Sequence, residues 1–361
     1  MTILSPLIYG SRGANGVIVV TTKAPLPGRL RINLQSTLSL EIPDLSTYDL
    51  LNSSELLGLQ KQQGLYTTTM PGDSYKEATY AARLKDVLEG ADTDWLHYPV
   101  RTGITQRHNV RLEGGNEEFR WGASLGYNSL QGAMKGSKRD NFNGSVILSY
   151  NLKNVIFKNQ LNIGINGSKE SPYGQFSKYA NMPSYYIPYD VNNNAYKDFM
   201  GLYNVHSRLG NPLYDASLNT VDQSKYTELI NNFSIEWQIL PELKVLAQMG
   251  ISKNISESDY FLPSNHSTFN TSAYETEEGY FRRGLYRYGT GKSLSYNSNI
   301  TVSYSKTFNE KHLLYAGMDY SLQNSQNTNY IFTVEGFTNM KRTVFHTGLK
   351  VLQEGSGLLV I

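Results

Sequence analysis

Apolar and polar side chains alternate along this chain in repeated segments about ten residues long. In Phe119 to Tyr127 the odd-numbered residues are Phe, Trp, Ala, Leu and Tyr, whereas Arg, Gly and Ser stand between them. Leu229 to Ile239 and Leu294 to Tyr304 repeat the pattern, although Asn231 interrupts the apolar positions of the former. Successive side chains of a strand point to opposite faces, so the pattern predicts strands with one apolar and one polar face.

The same rule predicts nine strands and therefore an all-β, antiparallel fold. They are expected at 30–40, 107–114, 119–127, 142–152, 158–168, 228–239, 243–253, 294–304 and 312–322. Most have about ten residues, which is the length that a tilted strand needs to cross a membrane.

The predicted connections alternate between long and short. The long ones are 41–106, 128–141, 169–227 and 254–293, and the short ones are 115–118, 153–157, 240–242 and 305–311. The short ones contain turn formers, namely Gly115-Asn116, Asn154, Pro241 and Asn309. Outer-membrane barrels have short periplasmic turns and long extracellular loops. The alternation therefore predicts a transmembrane β-barrel portion, with the Pro-rich link 24–28 on the periplasmic side.

The composition excludes some classes of protein but does not identify a ligand. A formal net charge of +2 gives no reason to expect nucleic acid as a partner. The longest apolar runs, such as Val17 to Val20, are too short for a transmembrane helix. The 27 tyrosines suit the aromatic girdles of a barrel with a polar lumen, although a soluble β-sandwich could have the same composition. With no cysteine, disulfides and thiolate metal sites are excluded.

No arrangement of residues indicates catalysis. The six histidines lack metal-ligand spacing. Adjacent acids such as Glu117-Glu118 do not define a glycosidase pair, because that pair is set by distance in space. We assign no catalytic residue, metal or cofactor, and we expect no enzyme activity.

The long connections carry structure of their own. Ser53 to Gln63, stopping at Gly64, and a run that opens with a capping box at Ser74 to Glu77 and ends at Gly90 are expected to be helices. The connection 169–227 is rich in aromatic residues. Its candidates for contact with a ligand or partner are Tyr173, Tyr185, Tyr186, Tyr189 and Tyr214. The alternative is that these rings pack the loop itself or lie at the membrane interface.

The opening segment, Ile8 to Lys23, reads IYGSRGANGVIVVTTK and resembles the end of the plug domain in SusC/RagA-type TonB-dependent transporters. The matching positions are Gly10, Arg12, Gly13 and Gly16. Physically, the glycines allow tight turns before the short apolar strand at 17–20. A phosphate-binding loop is disfavoured, because the glycines precede the strand and no Gly-Lys-Ser/Thr follows them.

Further segments, at 93–96, 101–109, 112–115, 125–127 and 131–132, are similar to the early barrel region of that family. The resemblance implies import of an oligosaccharide or a peptide across the outer membrane of a Gram-negative, Bacteroidetes-like cell. It also implies energy from the TonB complex and capture by a SusD-like surface lipoprotein. Outer-membrane lipid would surround the barrel.

The resemblance divides the chain into the end of a plug domain with its linker, 1–27, and the N-terminal part of a barrel, 28–361. Such plugged barrels have about 22 strands, so we expect the chain to be an internal piece of a longer protein. The absence of a signal peptide after Met1 and of a terminal aromatic residue at Ile361 agrees with that expectation. Two rival hypotheses are a soluble or surface β-rich carbohydrate-binding module and a passive porin, the latter disfavoured by the plug-like opening.

Overall fold

The structure is a computed structural model. It describes residues 25–68, 75–201, 208–309, 311–337 and 350–354. The plug motif at Gly10, Arg12, Gly13 and Gly16 lies outside the described residues, and so does Ser74 of the predicted capping box.

Ten strands form one antiparallel sheet in which neighbours follow chain order. They are β1 (Gly28–Glu41), β2 (Gly103–Gly115), β3 (Phe119–Gln131), β4 (Lys138–Leu152), β5 (Val155–Lys169), β8 (Val221–Leu240), β9 (Leu243–Leu262), β10 (Leu285–Phe308), β11 (His312–Glu335) and β12 (Lys350–Glu354). A separate hairpin of β6 (Asp198–Met200) and β7 (Arg208–Gly210) lies between β5 and β8. Within the described residues β1 and β12 are the two ends of the sheet order.

All nine predicted strands are confirmed, but the predicted lengths are wrong for several of them. β8 and β9 have 20 residues each, and β10 and β11 have 24 each. These strands continue past their apolar segment into stretches where outward positions are polar, such as Lys225 and Glu257. Apolar alternation detects only the part of a strand whose outer face is apolar. β12 and the β6–β7 hairpin were not predicted.

The alternation of long and short connections holds with one correction. Residues 42–102, 170–220 and 263–284 are long, and the predicted turn formers lie in or beside the short turns. The predicted long connection 128–141 is wrong, because β3 and β4 pair from Phe119↔Tyr150 up to Gln131↔Lys138 and leave only 132–137 between them. At the short turns, Gly115 has φ +128° and Asn309 has φ +50°.

Helices lie in the long loops. They are α1 (Ser53–Gln62), α2 (Tyr75–Leu88), α3 (Phe176–Ala180), α4 (Pro212–Ser217) and α5 (Glu277–Phe281), with 3-10 turns at Trp95–His97, Ser267–Phe269 and Ser272–Tyr274. The two predicted helices of the first loop correspond to α1 and α2. The capping box of α1 is formed by Asn52 and Glu55, because the side chain of each accepts a hydrogen bond from the backbone N–H of the other.

The two faces of the sheet differ in chemistry. One face presents exposed apolar side chains in cross-strand rows, for example Leu34 beside Val110 and Val110 beside Leu125, which is 57% exposed. The opposite face is polar, and Asn128 donates to Asn141 at 3.2 Å on it. A contiguous apolar face of this extent is rare on the surface of soluble proteins. The sheet therefore presents one face suited to an apolar surrounding and one suited to water.

Asn231, which interrupts the apolar alternation of β8, has a partner on the same face of β5. Asn159 Nδ2 donates to Asn231 Oδ1 at 3.0 Å, and Asn231 Nδ2 donates to Asn159 Oδ1 at 3.3 Å. The two amides therefore satisfy each other across the strands, which removes most of the cost of placing them among apolar side chains.

This reciprocal pair predicts strong coupling between the two positions. Asn159→Leu or Asn231→Leu alone leaves one amide unpaired and should lower the free energy of unfolding by about 1–3 kcal/mol. The double substitution should be close to the wild-type value, because it removes both polar groups. Urea unfolding in phospholipid vesicles measures the free energy of unfolding of the wild type, the two single variants and the double variant. Additive effects of the two single substitutions would contradict the pairing.

Candidate functional site

The long loops pack together into a cap at one end of the sheet, with an aromatic core. We call 42–102 the first long loop, 170–220 the second and 263–284 the third. Residues of the first two form a buried cluster, namely Leu57, Tyr66, Trp95, Tyr179, Met182, Tyr185, Tyr186, Phe199 and Leu213. Burial of this many large side chains stabilises a fixed arrangement of the two loops.

Arg83 of α2 lies inside this core with only 5% of its surface exposed. Its guanidinium donates to Tyr66 Oη at 2.7 Å, to Tyr186 Oη at 3.0 Å and to the carbonyl oxygen of Gly201 at 3.2 Å. Its charge also lies over the Tyr185 ring, 5.1 Å from the centroid. Among the described residues no carboxylate lies within ion-pair distance of Arg83. Tyrosine oxygens, aromatic faces and a carbonyl therefore hold a buried cation.

The tyrosines around Arg83 stay neutral. Burial raises the pKa of Tyr185 and Tyr186, although the nearby Arg83 opposes that rise. Burial also raises the pKa of Tyr179. Their hydroxyls are therefore protonated over the physiological range, and they act as hydrogen-bonding groups and not as bases.

A short segment of the second loop, 183–186, is clamped by the first. The Thr93 N–H donates to Ser184 O at 2.7 Å, and Thr93 Oγ1 donates to Tyr186 O at 2.8 Å. Trp95 Nε1 donates to Pro183 O at 3.0 Å. Backbone and side-chain bonds thus fix the aromatic pair Tyr185 and Tyr186 in register with the first loop.

The structure brings four of the five predicted tyrosines into one cluster. Tyr185 and Tyr186 are 2% and 9% exposed, so they mainly pack the loop. Tyr173 and Tyr189 are half-buried at the edge of the same cluster. Tyr214 is half-buried next to the third loop, where its hydroxyl accepts a hydrogen bond from Asn265 Nδ2 at 3.0 Å. Contact of these residues with a ligand or partner stays a prediction.

Two clefts flank the turn from Asp92 to His97. One, of about 620 Å³, is lined by residues that include Tyr48, Leu56 and Trp95. The other, of about 650 Å³, is lined by residues that include Tyr189.

Two aspartates of this turn, to which the sequence assigned no role, hold the backbone. Asp92 accepts a hydrogen bond from the Ser53 N–H at 3.0 Å, and Asp94 accepts one from the Leu96 N–H at 3.1 Å.

The third loop is attached to the second through Asp215 of α4. This carboxylate accepts hydrogen bonds from the Ser267 N–H at 2.9 Å and from the Ser267 hydroxyl. His266 Nε2 lies 3.7 Å from Asp215 Oδ2, and His266 Nδ1 accepts from the Thr268 N–H at 3.1 Å. Burial lowers the pKa of His266, and Lys178 adds to that effect, whereas Asp215 opposes it. His266 is therefore a neutral, buried acceptor at neutral pH.

Below the cap, the polar face of the sheet forms a wall of amides and hydroxyls. Asn141 links Asn128 on one neighbouring strand to Asn166 on the other through side-chain hydrogen bonds. Lower on the same face a cavity of about 680 Å³ is lined mostly by polar residues, and Pro25 also contributes to its wall. Pro25 is fully buried, and a Cβ added at Gly122 would lie 3.2 Å from its Cγ. The chain thus enters β1 from the polar face.

Neither a metal-binding cluster nor a membrane-spanning helix occurs in the part of the chain that the structure describes. No group of three or more His, Asp or Glu side chains is placed to hold a metal ion. Of the helices in that part, none combines the length and the apolar character needed to span a bilayer.

The fold of the chain is similar to that of solved peptide importers. "Structure of the RagAB peptide transporter" superposes with a TM-score of 0.74 at 19% identity, covering 95% of this chain and 40% of that one. The RagAB peptide importer in the 'open-open' state gives 0.73 at 19% identity, covering 98% and 40%. At this identity the likeness establishes the fold.

Sequence comparison agrees with the structural likeness. The chain is 25% identical over 269 residues to the TonB-dependent receptor SusC of Bacteroides thetaiotaomicron, which covers 67% of this chain and 25% of the receptor. It is 26% identical over 332 residues to the TonB-dependent receptor P3 of Formosa agariphila, covering 89% and 29%. No family model matches. The predicted resemblance to SusC/RagA-type TonB-dependent transporters is confirmed, and the chain spans about a quarter of the length of the curated relatives named here.

The buried cation should control the order of the cap. Arg83→Met removes the hydrogen bonds to Tyr66, Tyr186 and Gly201 and should lower the local opening free energy of 75–88 and 183–201 by about 2–4 kcal/mol. Hydrogen exchange followed by mass spectrometry measures the opening free energy of these segments. Arg101→Met, which alters an exposed arginine of the same loop, should leave exchange unchanged. Equal protection in both variants would show that the cap does not depend on Arg83.

The link between the second and third loops should weaken in acid. Because the folded-state pKa of His266 lies below the ordinary value of 6.5, its contribution is complete above pH 6.5 and is lost as pH falls through the lowered pKa. Limited proteolysis of 263–284 should therefore speed up between pH 7 and pH 5. His266→Asn keeps an acceptor for Thr268 without a titrating ring and should abolish this change, after correction for protease activity. The same acid sensitivity in both proteins would exclude His266 as its cause.

Proposed function

We propose that this chain is part of a TonB-dependent importer of the outer membrane that takes up oligosaccharides or peptides. The observation that carries the proposal is the combination of an exposed apolar face, a polar opposite face and a folded loop cap over nearly the whole described chain. The likeness to the RagAB peptide importer supports it over 95–98% of the chain. In this assignment lipid contacts the apolar face, and solute passes along the polar one.

The polar wall suits a neutral, hydrogen-bonding solute. Asn128, Asn141 and Asn166 offer amide donors and acceptors, which match the hydroxyls of a sugar or the backbone of a peptide equally well. The polar wall therefore suits both classes of solute. The aromatic edge at Tyr173 and Tyr189 and the outlying Tyr214 remain the candidate contacts in the cap.

The proposed partners are the TonB complex on the periplasmic side and a SusD-like lipoprotein over the cap. Residues 1–27 are assigned to the end of a plug domain and its linker, and 28–361 to the barrel. Burial of Pro25 on the polar face supports that division, because it places the start of the described chain on the side of the sheet that would line a barrel. The relatives named above are receptors and transporters, in keeping with a chain that is not an enzyme.

The alternative, a soluble β-rich carbohydrate-binding module, requires another sheet over the apolar face. The described residues leave that face open, with Leu34 71% and Met318 70% exposed. Purification without detergent as a stable monomer would favour the module over the importer.

Uptake should depend on the polar face and not on the apolar one. Asn141→Trp places a large ring on the wall and should reduce uptake of fluorescent oligosaccharides or oligopeptides several-fold. Phe142→Trp changes the next residue, which is 43% exposed on the opposite face, and should leave uptake near the wild-type rate. The assay uses a strain lacking the chromosomal gene and complemented with each full-length variant.

Two controls make the uptake result decisive. Deletion of the TonB gene should abolish uptake by the wild type, and cell fractionation should place the protein in the outer membrane. Uptake that persists without TonB would favour a passive porin. A protein recovered in the soluble fraction, with no uptake of either solute class, would overturn the importer assignment.

A further inference from the structure

A cavity of about 340 Å³ lies at the third long loop, separate from the two clefts and from the polar wall. Tyr280, Phe281 and Phe337 supply aromatic walls, and Lys197 and Arg283 supply positive charge. Its volume is at the lower end of the range for small-molecule sites.

The aromatic walls are unusually accessible. Tyr280 is 60% exposed and Phe281 55% exposed at the end of α5, with their rings edge-to-face at a centroid distance of 5.8 Å. Both rings present an apolar face that can stack on the C–H face of a sugar ring, and Tyr280 adds a hydroxyl that can form hydrogen bonds. These rings do not pack into either buried cluster of the described chain.

The charge lining the cavity is not neutralised. The guanidinium of Arg283 lies over the Tyr280 ring, 4.8 Å from its centroid, and Nη2 donates to Tyr274 O at 2.8 Å. Its neighbour Arg282 is instead paired with Glu335 at 2.8 Å. Within the described ranges no carboxylate lies within ion-pair distance of Arg283 or of Lys197, and both side chains are half-buried. Partly desolvated cations of this kind favour an anionic ligand.

The floor of the cavity is formed by Phe337, which is buried and packed against its neighbours. Phe337 is 2% exposed, its N–H donates to Arg283 O at 3.1 Å, and its ring packs edge-to-face on Phe261 at 5.8 Å. Gly284, at φ +91°, allows this close approach, since a Cβ there would lie 3.0 Å from Phe337 Cβ. A fixed floor lowers the ordering cost of binding.

We propose that this cavity binds a sugar ring that bears a carboxylate or a sulfate, with the ring on Tyr280 and Phe281 and the anionic group between Arg283 and Lys197. A neutral sugar would use the aromatic walls alone, and a small inorganic anion would use the cations alone. Only an acidic sugar uses both. The site lies on the loop surface, so it does not require that the chain transports the same molecule.

Binding is measured by isothermal titration of the full-length gene product in detergent micelles. The probes are tetragalacturonate, its methyl ester of equal length without charge, and a sulfated galactose tetramer. The acid should bind at least about tenfold more tightly than the ester. The sulfated tetramer distinguishes the anionic group: binding of either acid supports the site, and the tighter of the two identifies its natural class.

Variants assign the binding to this cavity. Tyr280→Ala and Arg283→Gln should each weaken the binding of the acid by about tenfold. Arg282→Gln combined with Glu335→Gln alters a neutralised pair beside the cavity, and Tyr196→Ala alters an exposed tyrosine of the second loop, so both should bind like the wild type. Equal affinity for acid and ester, no binding of any probe, or unchanged affinity in Tyr280→Ala and Arg283→Gln would overturn the proposal. None of these results bears on uptake, which tests the transport proposal separately.

Discussion

The pairing of each strand with the next along the chain is the constraint on which the rest of this molecule depends. In an apolar surrounding, backbone N–H and C=O groups need partners within the protein, and an antiparallel sheet supplies them. Chain-order pairing also alternates the connections between the two ends of the sheet, so the three long loops lie at the same end, together with the short connection 132–137. The two faces of the sheet differ in chemistry, because alternate side chains of its strands are apolar on one face and polar on the other.

The cap orders the long connections between the strands. Its loops bury aromatic rings around Arg83 and satisfy that cation with tyrosine hydroxyls and a carbonyl. A carboxylate would have supplied a stronger pair at the cost of burying a second charge. Neutral groups surround Arg83, whereas the acids Asp92 and Asp215 accept hydrogen bonds from the backbone N–H groups of Ser53 and Ser267.

Local patterns predicted the elements well where one rule dominated. The nine strands and both helices of the first loop were found from alternation and capping residues, and Gly64 ends α1 at φ +75°. The rules failed where the environment changes along one element. β10 and β11 run on for 24 residues because their outer face becomes polar beyond the apolar segment, and the connection 132–137 is short for the same reason.

The sequence by itself determined the class of fold, the face that each residue takes, the resemblance to SusC/RagA-type transporters and the aromatic character of the second long loop. Those properties are local, since they depend on the period of two and on short motifs. Only the tertiary structure decided that Asn159 partners Asn231 and that Tyr185 and Tyr186 are buried whereas Tyr280 is exposed. It also decided that Arg282 pairs with Glu335 whereas Arg283 lies over the Tyr280 ring. These depend on contacts between residues far apart in the chain, which no local pattern encodes.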